Sequence, residues 1–292
     1  IGSNTARYFF LKNIKNELQD WYSVETSTAQ QTDQQFYYYP EWGTLQGFPA
    51  SFTTQGEIND HHFHYGYFVS AGATIAQFDR QWATQWGGMV DLLIKDVANT
   101  DREDSQFPFL RNFDPYEGHS WASGHGAFLS GNNQESSSEG MNFASGVILW
   151  GAHTQDPEVR DLGIYLYSTE LSAIQQYWFD VDNAVYPANF SHNEVGMVWG
   201  DGAAYATWFS GEPEMIQGIN YLPMTASSLY LGQDAANAQK DYAEMVTLNG
   251  GPENNWQDII WEYQALFNPQ AALAKFNSNT NYLPEEGESR AH

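Results

Sequence analysis

The sequence contains no cysteine. That excludes a disulfide scaffold and a thiolate zinc site, and it leaves the compartment open, because many exported bacterial enzymes also lack cysteine. Basic residues are scarce: 11 Lys and Arg stand against 36 Asp and Glu, a formal charge of −25. Affinity for nucleic acid comes mainly from cations that neutralise phosphates. Nucleic acid, anionic polysaccharides and anionic membrane surfaces are therefore not expected partners. A neutral substrate feels no such penalty, and the same charge would keep an exported, extracellular protein soluble. No run approaches the ~18 consecutive apolar residues that suggest a membrane span. No charged-then-apolar leader opens the chain, so Ile1 reads as the start of a mature form or a fragment. No repeat of fixed period is visible, which argues against a regular solenoid.

Aromatic surface, by contrast, is abundant. The 292 residues are 16% aromatic, with 11 Trp, 18 Tyr and 18 Phe, more flat apolar rings than a core alone requires and suited to receiving sugar faces. Helical periodicity dominates. Tyr8, Phe9, Leu11, Ile14, Leu18 and Trp21 recur near every 3.6 residues, and a polar, aromatic loop follows over Ser27 to Thr54. Further helices are expected over Asn59–Phe78, Trp82–Val97, Gln134–Gly151 and Val159–Trp178. Shorter helical pieces are expected over Ala203–Phe209, Met215–Ile219, Ala226–Leu231, Ala235–Leu248 and Trp256–Leu266. Asp101–Gly131 is a loop by its Gly, Pro, Asn and Ser content, Val181–Trp199 reads as short extended segments, and the tail after Asn277 is polar and mobile. The pattern suits an all-α toroid or bundle with a groove at one end, occupying 1–276 and followed by a polar tail over 277–292.

Three segments carry chemistry. In Asn59-Asp60-His61-His62-Phe63-His64-Tyr65-Gly66-Tyr67, Asp60 and His64 share a face if a helix begins here. Asp60 is then either a helix cap or a reactive acid. A metal reading needs His61 and His64 plus a distant ligand such as His119 or His125, and it is not adopted; no cofactor is implied. In Asn132-Asn133-Gln134-Glu135-Ser136-Ser137-Ser138-Glu139, two acids four apart stack on one helical face, among amides and hydroxyls that could bond a sugar or hold a water. Between these segments lies a loop, Phe113–Gly124, in which Asp114, Tyr116, His119 and Trp121 could build a sugar subsite; Trp121 could equally anchor the loop to the core. Glycoside cleavage needs two carboxyl roles, an acid on the leaving oxygen and a base or nucleophile. Three acids on two segments can supply that pair, and the net negative charge should help keep one protonated.

These motifs resemble a known family. NDHHFHYGY (59–67), RNFDPYEGHSWASG (111–124), GNNQESSSEGMN (131–142) and ATWF (206–209) are similar to glycoside hydrolase family 81, the endo-β-1,3-glucanases, and the resemblance runs on to WQDIIWEYQALFNPQAA (256–272). It implies an (α/α)6-barrel catalytic domain, lacking here the first barrel helices and the family's N-terminal β-rich domain, which a separate portion of the same architecture could supply. It implies inverting endo-hydrolysis of a β-1,3-glucan such as laminarin or curdlan. It also implies Asp60 as general acid, Glu135 as general base and Glu139 as its helper, although either glutamate could reach the same water. His64, Tyr65, Asp114, Tyr116, His119, Trp121, Asn132, Asn133 and Trp199 are the substrate-contacting candidates. One departure is Gly200-Asp201-Gly202-Ala203-Ala204, where relatives more often carry a Lys and an Asp.

Overall fold

The structure, a computed structural model, describes residues 3–24 and 34–286. It is mostly helical, as expected. In chain order the elements are α1 (Asn4–Trp21), β1 (Gln35–Tyr39), β2 (Thr44–Phe48), a single turn α2 (Thr54–Glu57), α3 (His61–Phe78), α4 (Arg80–Ala98), the two-residue strands β3 (Phe113–Asp114), β4 (His119–Ser120) and β5 (Asn133–Gln134), then α5 (Ser137–Thr154) and α6 (Pro157–Tyr177). They continue with β6 (Met197–Trp199), β7 (Gly202–Ala204), α7 (Pro213–Gly218), a 3-10 helix (Ala226–Gly232), α8 (Ala235–Leu248), α9 (Gln257–Ala265) and α10 (Pro269–Ser278). No described helix is long and apolar enough to cross a membrane. The chain divides into two compact units. One comprises the residues up to Pro115 with Trp121–His125 and Phe143–Tyr167; the other comprises Tyr116–Ser120, Gly126–Asn142 and the residues from Ser168 on.

In the first unit α3 and α4 pack through small residues. A Cβ on Gly66 would meet the Phe143 backbone at 3.2 Å, and one on Gly72 would meet Val90 Cγ2 at 2.9 Å. Buried Val69, Ala73, Ile75 and Ala76 of α3 join Val90, Leu93, Ile94 and Val97 of α4 in the core. The segment expected as loop over 27–54 contains an antiparallel hairpin, β1 with β2, in the register Phe36↔Gly47 and Tyr38↔Leu45. Period-two alternation turns Phe36 and Tyr38 toward the core, and Phe36 meets Trp21 and Tyr65 at centroid distances of 5.2 and 5.4 Å.

The second unit holds a three-stranded antiparallel sheet in the order β5-β6-β7. Asn133 pairs Trp199, Gln134 pairs Val198, and Met197, Val198 and Trp199 pair Ala204, Ala203 and Gly202. The helix expected over Ala203–Phe209 is thus absent. Gly200 and Asp201 form a two-residue turn, Ala203 and Ala204 continue as strand, and 205–209 is irregular. Local alanine propensity loses here to strand pairing. Around the sheet, Tyr221 and Tyr263 stack at 3.8 Å and 6°. Helix α10 extends through Ser278, and beyond it Tyr282 Oη and the Glu285 N–H donate to Asp258 at 3.1 and 2.7 Å. The tail expected to be mobile lies, from residue 287 on, outside the described residues.

Candidate active site

In the first unit the Asn59-Asp60 pair turns the chain into α3. Asp60 sits at the N-cap position with φ 63° and ψ 17°. This left-handed conformation costs an ordinary L-residue roughly 1–2 kcal/mol and is tolerated best by Asp and Asn. Its side chain makes no capping hydrogen bond. Oδ2 instead accepts from Asn59 Nδ2 at 2.6 Å, and the Asp60 N–H donates to the Ala122 carbonyl at 2.8 Å. The carboxylate is thus held at a helix N-terminus without serving as its cap. Residue 64, one turn on, is a partly exposed histidine whose ring lies 5.6 Å from that of Phe52. Burial, then His61, depresses the His64 pKa to about 4, so the ring is neutral at ordinary pH.

The neighbouring histidines have other work. His61 Nδ1 lies 2.8 Å from Asp96 Oδ2, and Asp96 Oδ1 accepts from Thr44 Oγ1 and the Leu45 N–H at 2.8 and 2.7 Å. Arg111 donates to Asp96 through Nη2 and to the Asp96 carbonyl through Nε. Burial opposes ionisation of Asp96, but Arg111 and His61 outweigh it and hold the carboxyl below its ordinary value. This largely buried network ties α3, α4, the hairpin and the Arg111 loop together one residue from Asp60. Among the described residues no group of three or more His, Cys, Asp or Glu is arranged to hold a metal.

Asn112 shapes the loop beside Asp60. Its carbonyl accepts from the Trp121 N–H at 2.7 Å, and its Nδ2 donates to the Trp121 carbonyl at 3.1 Å. Trp121 Nε1 in turn donates to Asp114 Oδ2 at 3.3 Å. Asp60, His64, Asp114 and Trp121 are therefore gathered in one neighbourhood of the first unit. Tyr65 is not part of any exposed site: it is 4% exposed, and its hydroxyl donates to the Leu45 carbonyl at 2.9 Å. Its position, roughly 100° round the helix from His64, turns it into the core.

In the second unit the expected stacking of Glu135 and Glu139 on one helical face is corrected. Glu135 lies between β5 and α5, and only Glu139 is in the helix, in its first turn and partly exposed. Strand alternation puts Asn133 and Glu135 on one side and Gln134 on the other. On the first side Trp208 donates twice, its N–H to Glu135 Oε1 at 2.7 Å and its indole Nε1 to Asn133 Oδ1 at 3.2 Å. Burial raises the Glu135 pKa, against the opposing hydrogen bonds from the Trp208 N–H and the Thr207 side chain. Local burial, rather than the overall negative charge, is the largest cause of this shift.

The serines of the motif do not face a sugar, contrary to expectation. Ser136, Ser137 and Ser138 are all buried. The Ser136 hydroxyl donates to the Ile219 carbonyl at 2.9 Å, Ser137 donates through N–H and hydroxyl to Asn220 Oδ1 at 3.0 and 2.9 Å, and Ser138 reaches the Leu222 carbonyl. They bolt the start of α5 to the 219–222 segment. His119 is likewise corrected: it is 1% exposed, with its ring 5.1 Å edge-on to Trp178 and Nδ1 2.8 Å from the Ser120 carbonyl. Tyr116 is 92% exposed on the surface.

Aromatic rings stand beside Glu135. Trp199 meets Phe128 and Trp208 at 5.7 and 5.4 Å, and Phe128 lies 5.9 Å from Trp208. Trp208 is 57% exposed. Asn132, whose Oδ1 accepts from the Asn133 N–H at 2.8 Å, borders this group. Trp208, Thr207 and Phe128 were missed as site residues. The Ala-Thr-Trp-Phe run stands in the sequence only as one of the family motifs, and nothing local links it to a carboxylate 73 positions away.

The molecule is thus a helical protein that holds a carboxylate at a helix N-terminus in one unit and a hydrogen-bonded carboxylate beside an exposed tryptophan in the other, the equipment of a carbohydrate-active protein. Comparison with known proteins is specific. The model described as the glycosyl hydrolase family 81 C-terminal domain matches residues 5–292. The chain is 50% identical over its whole length to a glucan endo-1,3-beta-D-glucosidase of Thermobifida fusca and 49% identical to one of Acetivibrio thermocellus, covering 38% of each. A solved glycoside hydrolase family 81 structure from Clostridium thermocellum superimposes with a TM-score of 0.93 at 49% identity, over 99% of this chain and 40% of that one. The chain belongs to glycoside hydrolase family 81. It spans about two-fifths of the length of these relatives.

Proposed function

We propose that this chain carries the catalytic residues of an extracellular endo-β-1,3-glucanase that hydrolyses neutral β-glucans such as laminarin with inversion. The observation that carries the reading is Glu135: a partly buried carboxylate, placed outside the helix, oriented by the Trp208 N–H, with the exposed Trp208 indole and the half-buried Trp199 beside it. Its raised pKa suits a general base, which works best when its pKa approaches the working pH. Asp60 is the general acid, freed from capping duty, and Glu139 assists with the water. His64, Asp114, Trp121, Asn132, Asn133, Tyr116 and Trp199 contact the glucan, joined by Trp208. The relatives named above carry the same activity in their names.

An anomer-resolved NMR time course on laminarin tests activity, linkage and stereochemistry together. Initial α-anomer is expected. Asp60→Asn and Glu135→Gln should each lose ~10²–10⁴-fold in rate, the usual worth of a general acid or base. Full activity of either variant, or release of the β-anomer first, ends the assignment. The exposed Trp208 would equally serve a glucan-binding module without turnover; laminarin binding with no release of reducing sugar would select that reading.

A further inference from the structure

Beneath the strand that leads to Glu135 lies an acid to which neither the family resemblance nor the proposed chemistry gives a role. Glu170, on α6, is 2% exposed. Its Oε1 accepts from the Ser120 N–H at 3.0 Å and from the Ser120 hydroxyl at 2.5 Å. Ser120 Oγ in turn accepts from Gln134 Nε2 at 2.7 Å. Gln134 is the residue before Glu135, with its side chain on the opposite side of the strand, so the relay grips the strand from behind while Trp208 engages it from the front. The first turn of α5 closes over the same atoms. A Cβ on Gly140 would come within 3.0 Å of Glu170 Oε1 and 3.0 Å of Ser120 Oγ, so only glycine fits between Glu139 and Met141 without displacing them.

We propose that Glu170 is a positioning residue: through Ser120 Oγ and the Gln134 amide it holds the backbone at Glu135 where the Trp208 N–H can reach the carboxylate. Gln134 also bonds Glu170 itself, so the grip has two arms, one direct and one through Ser120 Oγ, and both end on the Gln134 amide. Loss of the relay lets the strand end drift and weakens the Trp208 bond. Because that bond favours the ionised form, the Glu135 titration must then move upward. Burial raises the Glu170 pKa to about 7, against the hydrogen bonds from Ser120 and Gln134, so below that pH it is a neutral acid. Glutamine, which keeps an acceptor oxygen, is the matching conservative replacement.

The proposal rests on Glu135 being the base, and its test does not depend on turnover. Glu135 is titrated by carboxyl ¹³C NMR, assigned with Glu135→Gln, while the Trp208 amide is followed by ¹⁵N–¹H correlation. In Gln134→Leu, which cuts both arms, and in Glu170→Leu the Glu135 midpoint should rise by about half a pH unit or more, and the pH-dependent shift of the Trp208 amide should shrink. In Glu170→Gln both should match wild type. Unmoved Glu135 and Trp208 signals in Gln134→Leu overturn the proposal, as does a Glu170→Gln that shifts as far as Gln134→Leu. If Glu170→Leu does not fold, Gln134→Leu decides alone. A fall in melting temperature with an unmoved Glu135 titration would mark the relay as structural only. Laminarin hydrolysis is recorded separately: an inactive wild type removes the base assignment, while the titration still decides the relay.

Discussion

Glu170 also makes a prediction about stability. Burial raises its pKa from 4.5 to about 7, against the hydrogen bonds from Ser120 and Gln134. A carboxyl whose native pKa is raised destabilises the fold once the unfolded chain ionises. Below pH 4.5 both states hold the proton and nothing is lost. Between 4.5 and about 7 the unfolded chain releases the proton while the native protein keeps it, so stability falls with rising pH; above that it levels off. The gap of about 2.5 pH units, at 1.36 kcal/mol each, is about 3 kcal/mol. Glu170→Gln does not titrate and keeps the hydrogen-bonding shape of the neutral acid. Urea unfolding of both proteins from pH 4 to 8.5 should show the variant gaining about 3 kcal/mol on wild type across that window. Buried Glu194 and Asp241, also raised by burial, are common to both proteins and cancel in the difference. A difference that stays flat between pH 4.5 and 8 would refute the reasoning.

Three further outcomes follow from the packing. Asp96→Ala leaves Arg111 and the Leu45 N–H buried without their acceptor and should cost ~3–5 kcal/mol in denaturant unfolding at pH 7. Because the native Asp96 pKa is lowered, its stabilisation is complete above the unfolded value of ~3.9 and is lost as pH falls toward the native one, so the variant should lose part of the acid sensitivity of wild type. Gly196→Ala puts a Cβ 2.1 Å from the Ala206 carbonyl, which must displace the loop that delivers Trp208; thermal unfolding should show ~1–3 kcal/mol lost, with a fall in glucan hydrolysis. Ser137→Ala removes one of two bonds to Asn220 and should cost ~1 kcal/mol in urea unfolding, with activity largely kept.

Much of this was legible in the sequence because it is local. The 3.6-residue spacing of Leu11, Ile14 and Leu18 marks α1, and the Asn59-Asp60 pair marks the start of α3, since a short polar side chain tolerates the left-handed turn found there. The family motifs pointed to the two acidic segments. What failed was also local in cause. Ala203 and Ala204 carry helical propensity, yet they form a strand because Gly196 allows the Ala206 carbonyl to approach and β6 offers a pairing edge. Tyr65 and His119 look exposed beside polar neighbours, but the direction of a side chain on its element decides burial, and both point inward.

The sequence by itself settled that this is a helical member of family 81 in which Asp60 and Glu135 are the acids to examine, because motif identity and amphipathic period are written in consecutive residues. Only the tertiary structure decided that the serines of the motif are bolts rather than sugar ligands and that Glu135 stands outside the helix. It alone brought the Trp208 N–H onto that carboxylate and placed Glu170 behind the strand. Each of these is a pairing between residues tens of positions apart, fixed by which buried polar groups can find partners once the chain has folded, and no window of sequence contains both halves.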